Sequence, residues 1–219
     1  MFEKKKQLEE LKKELESKTG IISLLNTAED VIFGEGNPDA MIFFIGEAGG
    51  YWEAKLRRPF VGNAGKLLDK LILSIGIKRE DVYISNVVKA RPPENRDPLP
   101  EEIEAFKTYL DREFEIIQPK VIVTLGRFAM AEFYPYGKIS VDHGKGRIIE
   151  YNGQKYIFVP MFHPAAALRS GEVEKQLKQD FVKLPEEIER LKNPNLPIKE
   201  NEEKSKDSNQ IKNEQLELI

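Results

Sequence analysis

Residues 81–126, DVYISNVVKARPPENRDPLPEEIEAFKTYLDREFEIIQPKVIVTLG, decide the fold. DVYISNVV (81–88) is a short apolar run interrupted by one amide, the pattern of a strand buried on both faces. From Pro100 two acidic residues follow, and Ile103, Phe106, Leu110, Phe114 and Ile117 fall on one face, which predicts a helix over 100–117. KVIVTLG (120–126) is again a strand. Strand, helix and strand in that order build a parallel sheet covered by helices.

The same alternation extends in both directions. MIFFIG (41–46) is a continuous apolar run, and KYIFVPMF (155–162) is another, giving four strands in all. Residues 63–75 have helical periodicity, with Asn63 expected as N-cap and Gly76 as the stop. Leu8, Leu11 and Leu15 mark an amphipathic helix over 3–17. Further helices are expected over 127–134 and 172–192, and an irregular excursion or hairpin over 139–151. The expected class is therefore α/β, with ligands bound at the carboxyl ends of the strands. From Asn193 the chain turns polar and charged, so a domain over 1–192 and a disordered tail over 193–219 are expected.

Composition excludes several chemistries. The 219 residues contain no cysteine and two histidines, His143 and His163, so no thiolate metal site, disulfide or cysteine nucleophile is available. No metal site is expected. The N-terminal segment is charged throughout and is no signal peptide, and no stretch is long enough to span a bilayer. A soluble, cytoplasmic monomer without membrane partners is the expectation. Charged residues reach 32%, rich in Lys and Glu, which fits a protein from a hot environment. The net charge is −3, so any contact with nucleic acid must rest on a local basic surface.

Segments with chemical content gather at the predicted strand ends. GEAGG (46–50) is a flexible turn after the first strand: either a plain connection, or bare backbone approaching a ligand with Glu47 projecting into the site. PFVGNAGKLL resembles a phosphate-binding loop but fails its spacing. Phe60 is either a core anchor or an exposed stacking platform. Asn86, inside VYISNVV, is costly unless its amide is satisfied. It either ties down a loop or reads a ligand with an adjacent donor and acceptor. Uracil offers such a pair, and cytosine presents the opposite polarity. FHPAAALR places His163 at a strand end, where it is either structural or catalytic. Leu168 and Arg169 beyond it offer an apolar wedge and a phosphate contact.

Taken together, VIFGEGNPDA, GEAGG, RPFVGNAGKLLD, DVYISNVVKARPPENRDP, PKVIVTLGRFAM and FHPAAAL, in this order, resemble the family-4 uracil-DNA glycosylases over roughly residues 1–192. That resemblance implies the uracil-DNA glycosylase fold, a four-stranded parallel sheet sandwiched between helices in three layers. It implies excision of uracil from DNA in base excision repair, with uracil-containing DNA as partner. Phe60 would stack on the flipped base, Asn86 read its edge and His163 stabilise the departing anion. Asn95 would help hold the attacking water, with Glu47, Gly46 and Ala48 lining the pocket and Asn63, Leu168 and Arg169 meeting the DNA. The polar tail is a further candidate for docking repair or replication proteins.

Two departures stand out. The family usually has proline where Gly49 stands. It also uses four cysteines to ligate a four-iron, four-sulfur cluster, and the corresponding positions here are Thr19, Ile22, Ala90 and Phe106, none a ligand for iron. No cofactor is therefore expected; an apolar cluster is expected in its place. These departures motivate a second reading, a non-catalytic paralogue that binds DNA or damaged bases. A free-nucleotide-binding α/β protein is a third.

Overall fold

The computed structural model describes residues 2–193; Met1 and residues 194–219 of the expected tail lie outside the described residues. In chain order the elements are helix α1 (Phe2–Glu16), strands β1 (Glu35–Gly36) and β2 (Ile42–Gly46), helices α2 (Tyr51–Leu56) and α3 (Asn63–Ser74) and strand β3 (Tyr83–Asn86). Then come α4 (Pro100–Ile117), β4 (Val121–Leu125), α5 (Arg127–Phe133), α6 (Ile139–Asp142), β5 (Arg147–Tyr151), β6 (Gln154–Met161), α7 (Pro164–Ala167) and α8 (Gly171–Lys192).

The strands lie in the order β1-β3-β2-β4-β6-β5. β3, β2, β4 and β6 are mutually parallel, as the sequence predicts, while β1 and β5 pair antiparallel at the two edges. The excursion at 139–151 resolves into α6 and the first strand of a β5–β6 hairpin.

Alternation along β2 divides the core. Phe43 and Ile45 face α1, α4 and α5; Ile42 and Phe44 face α3, α7 and α8. Both faces of the central strands are thus covered, which is why their apolar runs are continuous rather than alternating. β5, at the edge, alternates between partly buried and exposed residues instead. No helix among the described residues is long and apolar enough to cross a membrane.

One cap is corrected. α3 begins with Asn63, and Gly62 takes the extended N-cap conformation, so Asn63 is not the cap. The expected stop is present: Gly76 has a φ of 77°, the left-handed region that glycine enters without a Cβ penalty.

Ile22, Ala90 and Phe106 lie in one apolar cluster with Leu11 and Leu15 of α1, and Ala90 and Phe106 are fully buried. Thr19 stays outside that cluster and donates to the Glu16 carbonyl at 2.8 Å. Side chains of this chemistry do not fit an iron–sulfur cluster, which requires anionic sulfur or imidazole ligands.

Candidate active site

A cleft of about 580 Å³ opens at the carboxyl ends of β2, β4 and β6. Its lining draws on all four segments marked in the sequence, through Glu47, Phe60, Asn95, His163 and Arg169 among others. Ala48 also lines it. Asn63 is exposed and does not, although its neighbour Ala64 does; Leu168 is 52% exposed on the rim segment beyond α7.

Asn86 is the last residue of β3 and is 1% exposed, and neither its Oδ1 nor its Nδ2 has a hydrogen-bond partner within the described residues. Leaving both halves of a buried amide unpaired costs on the order of 1–3 kcal/mol for each group. The loop-tying role for Asn86 is therefore not what the structure shows. Gly46 ends the neighbouring strand in register with it, and a side chain there would collide with Asn86 Oδ1 and the Phe60 ring. Bare backbone at position 46 is what lets the amide and the ring meet.

Phe60 combines features of both sequence readings. Its ring is 5% exposed and belongs to the core cluster beneath α3, yet it also lines the cleft. It packs against the His163 ring with centroids 5.6 Å apart and an interplanar angle of 29°. Its backbone is held at a φ of 51°, unusual for a bulky residue. Arg79 fixes that turn by donating to the carbonyls of Pro59 and Phe60 at 2.6 and 3.0 Å.

His163 caps α7. Its Nδ1 accepts from the Ala165 N–H at 3.1 Å, which assigns the ring proton to Nε2. Burial, joined by the positive charge of Arg169, lowers its pKa to about 4, against a weaker opposing influence from Glu53. The imidazole is therefore neutral at physiological pH, with its proton on Nε2. Gly126, with a φ of 92°, runs past it so closely that a Cβ would stand 3.1 Å from His163 Cβ.

Glu47 follows β2. Burial first, then the charge of Asp97, raises its pKa to about 7, with Arg127 pulling the other way. A carboxylate poised near neutrality is suited to accepting a proton in the transition state. Asp97 and Arg127 form an ion pair across the same cleft.

Asn95 sits at the mouth, exposed, where Glu94 and Asn95 both adopt positive φ, 56° and 54°. Its Oδ1 accepts from Arg91 Nε at 2.8 Å. The loop is anchored behind it by a two-pronged pair in which Arg96 donates to both oxygens of Glu102, at 2.8 and 2.6 Å. Arg169 lines the cleft, and neither it nor Arg91 has a carboxylate partner among the described residues.

Two positioning groups escaped the sequence reading. Glu53, on α2, accepts from the backbone N–H of Gly50 at 3.2 Å, Val61 at 2.9 Å and Gly62 at 2.7 Å, so one carboxylate holds the glycine turn against the Phe60 loop. Lys89 and Glu113 form a fully buried ion pair at 2.5 Å. Lys89 also donates to Ser85 Oγ at 2.9 Å and to the Asn86 carbonyl at 3.2 Å, bracing the strand end that presents Asn86. Burial depresses the Lys89 pKa, and Glu113 opposes that shift. The signal for this pair was available, because Glu113 lies seven residues after Phe106 on the buried stripe of α4.

Gly49, the other departure, donates its N–H to the Ala90 carbonyl at 3.1 Å, a bond that proline cannot make.

The family model described as uracil DNA glycosylase superfamily matches residues 33–188. A type-4 uracil-DNA glycosylase of Sulfurisphaera tokodaii is 47% identical over 159 residues, covering 70% of this chain and 72% of that protein. Proteins of the same name from Archaeoglobus fulgidus and Thermotoga maritima are 44% and 47% identical, covering 74% and 70% of this chain and 84% and 81% of their own lengths.

Proposed function

Because the chain belongs to the uracil-DNA glycosylase superfamily, we propose that it hydrolyses the N-glycosidic bond of uracil in DNA, with residues in and around the cleft acting as follows. The observation that carries the assignment of roles is Asn86, a buried amide with donor and acceptor both unpaired, beside Phe60 and a neutral His163. A uracil turned out of the stack meets that amide with its N3–H and O4, and stacks on Phe60. Cytosine presents the opposite polarity, and an amide kept in the uracil-pairing orientation leaves both of its atoms unpaired against it.

Cleavage breaks the bond between C1′ and N1, leaving negative charge on the base and positive charge on the sugar. His163 donates from Nε2 toward the base oxygen where that charge develops. A neutral donor is suited to this role, because it stabilises the anion without surrendering its proton. Glu47 as carboxylate accepts the proton of the water that adds to C1′, and Asn95 helps to hold that water. Arg169 meets a phosphate, Leu168 acts as the wedge, and Asn63 contacts the backbone. The non-catalytic reading is not favoured, since the relatives of this chain are named as glycosylases.

The chain acts in this reading as a cytoplasmic monomer without a cofactor, and segment 193–219 stands outside the catalytic domain as a docking site for repair or replication proteins. The test is incubation with a uracil-containing oligonucleotide in the presence of a chelator, followed by alkali. Strand breaks at the uracil position are expected. No breaks at stoichiometric protein would overturn the reading, and activity lost only with chelator would overturn the cofactor-free part.

A further inference from the structure

None of the roles above uses the start of α2. Tyr51 and Trp52 follow the glycine turn directly and are 53% and 52% exposed, and neither belongs to a core cluster. Their rings meet edge to face, with centroids 5.3 Å apart. Each carries a cation: the Arg91 guanidinium lies 5.3 Å from the Tyr51 ring centre, and the Lys55 ammonium 5.4 Å from that of Trp52. Neither cation has a carboxylate partner among the described residues.

The pair stands on the lip of the cleft. Gly50 and Glu53, on either side of it in sequence, both line the cleft, and a Cβ on Gly62 would sit 3.6 Å from Trp52 Cδ1. Arg91 ties the patch to the catalytic loop through its bond to Asn95. Leu168 and Arg169 belong to the segment after β6, a separate part of the rim. Packing accounts for none of this: two large aromatic rings stay half in water, held side by side under two cations.

We propose that Tyr51 and Trp52 form a stacking platform for an unpaired nucleobase next to the nucleotide held in the cleft, with Arg91 and Lys55 taking the flanking phosphates. The inference rests on the DNA-glycosylase reading of the cleft. A strand that delivers one base into the cleft must continue over its rim, and exposed aromatic faces flanked by cations are the surface that unpaired nucleic acid prefers. Stacking reads no sequence, since every base has a π-face. Lys55 is a flexible surface side chain, and it can swing from the Trp52 face to a phosphate as a base arrives. A paired neighbour keeps its faces inside the duplex, so the platform favours single-stranded or opened DNA.

Trp52 is the sole tryptophan of the chain, so its fluorescence reports on the patch alone. The full chain is titrated with a fluorescein-labelled single strand carrying a tetrahydrofuran abasic analogue, and with the same strand in a duplex. Tryptophan emission should change in step with the anisotropy of the labelled strand. Trp52→Ala should weaken single-strand binding by about 5- to 150-fold, the loss typical of one base–aromatic stack, with Trp52→Phe retaining most of the affinity. Phe2→Ala, an exposed ring whose neighbour Lys4 bonds the Ile117 carbonyl at the far end of α4, serves as control and should bind as the parent does. The duplex should lose far less. Strand binding without any change in emission, or equal binding by Trp52→Ala, overturns the platform. Equal losses on strand and duplex overturn the unpaired-base assignment. Uracil release by the parent from the matching uracil strand is measured in parallel. Release with a silent Trp52 overturns the platform alone, whereas failed release overturns the glycosylase reading.

Discussion

Glu47 makes the pH dependence of cleavage a sharp test. Burial and the Asp97 charge raise its pKa to about 7, and burial lowers that of His163 to about 4. Between pH 6 and pH 8 the His163 imidazole stays neutral, so a titration in the rate across that window does not come from it. Roughly a tenth of the chains carry an ionised Glu47 at pH 6 and roughly nine-tenths at pH 8. If the carboxylate is the form that accepts the water's proton, the single-turnover rate rises about tenfold over those two pH units and then levels. Single-turnover conditions are needed, because slow release of abasic DNA would flatten the profile. Glu47→Gln keeps the shape of the side chain but cannot take a proton. It should abolish the rise and lower the plateau by about 100-fold or more. Asp97→Asn should shift the inflection to lower pH, since it removes the repelling charge and releases Arg127. A parental profile flat from pH 6 to pH 8, or an unchanged inflection in Glu47→Gln, would refute the assignment. Stability carries the same signature with opposite signs for the two groups. Folded Glu47 keeps a proton that the unfolded chain releases near its ordinary 4.5, so its contribution is lost as pH rises toward 7. His163 resists a proton that the unfolded chain binds below about 6.5, so stability falls as pH drops from there toward 4.

His163→Ala should lower the single-turnover rate by about 100- to 1000-fold while affinity for abasic DNA falls much less, because the donor matters most once charge has developed; equal losses in both would place His163 in binding alone. Asn86→Asp removes the amide donor and should narrow the preference for uracil over cytosine, measured on matched oligonucleotides; an unchanged ratio would remove Asn86 from base reading. Phe106→Ala should destabilise the fold by about 3–5 kcal/mol in denaturant titration, as for other fully buried phenylalanines, and a near-neutral result would contradict its place in the core.

The sheet was legible because its four parallel strands are buried on both faces and read as unbroken apolar runs. The edges were less so: β1 is two residues long, and β5, in the segment read as an irregular excursion or hairpin, alternates between partly buried and exposed residues while pairing antiparallel with β6. Asn86 could be singled out because an amide inside such a run must be satisfied or used. What distinguishes the two lies in three dimensions, namely that neither amide atom has a hydrogen-bond partner among the described residues. Helix α2 was missed for a different reason. YWEAKL is too short to show a period, and its start is fixed by Glu53 reaching back to Gly50 and forward to Val61 and Gly62. Phe60 resisted a choice between core and platform because its ring is buried in the core and also forms part of the cleft wall.

The loss of the four cysteines bears on the site through the segment after β3, which runs from Asn86 to Asn95 and passes through Ala90. A metal cluster would tie that segment to α4 and to the region after α1 by bonds far stronger than packing. Here the segment is held by several weaker restraints acting together. Ile32 donates to the Lys89 carbonyl at 2.8 Å and Gly49 to the Ala90 carbonyl at 3.1 Å, fixing the backbone from two directions. Lys89 is buried against Glu113 of α4, and Ala90 is sealed in the apolar cluster with Ile22 and Phe106. Arg57 reaches from the end of α2 to Glu16 and donates to the Ala28 carbonyl at 2.9 Å, closing the region after α1 onto the cleft side. Glycine at position 49 belongs to the same arrangement, since only a residue with an N–H can bond Ala90. The strand end that presents Asn86 is thus braced by hydrogen bonds, a buried ion pair and apolar packing that a cysteine-free chain can supply.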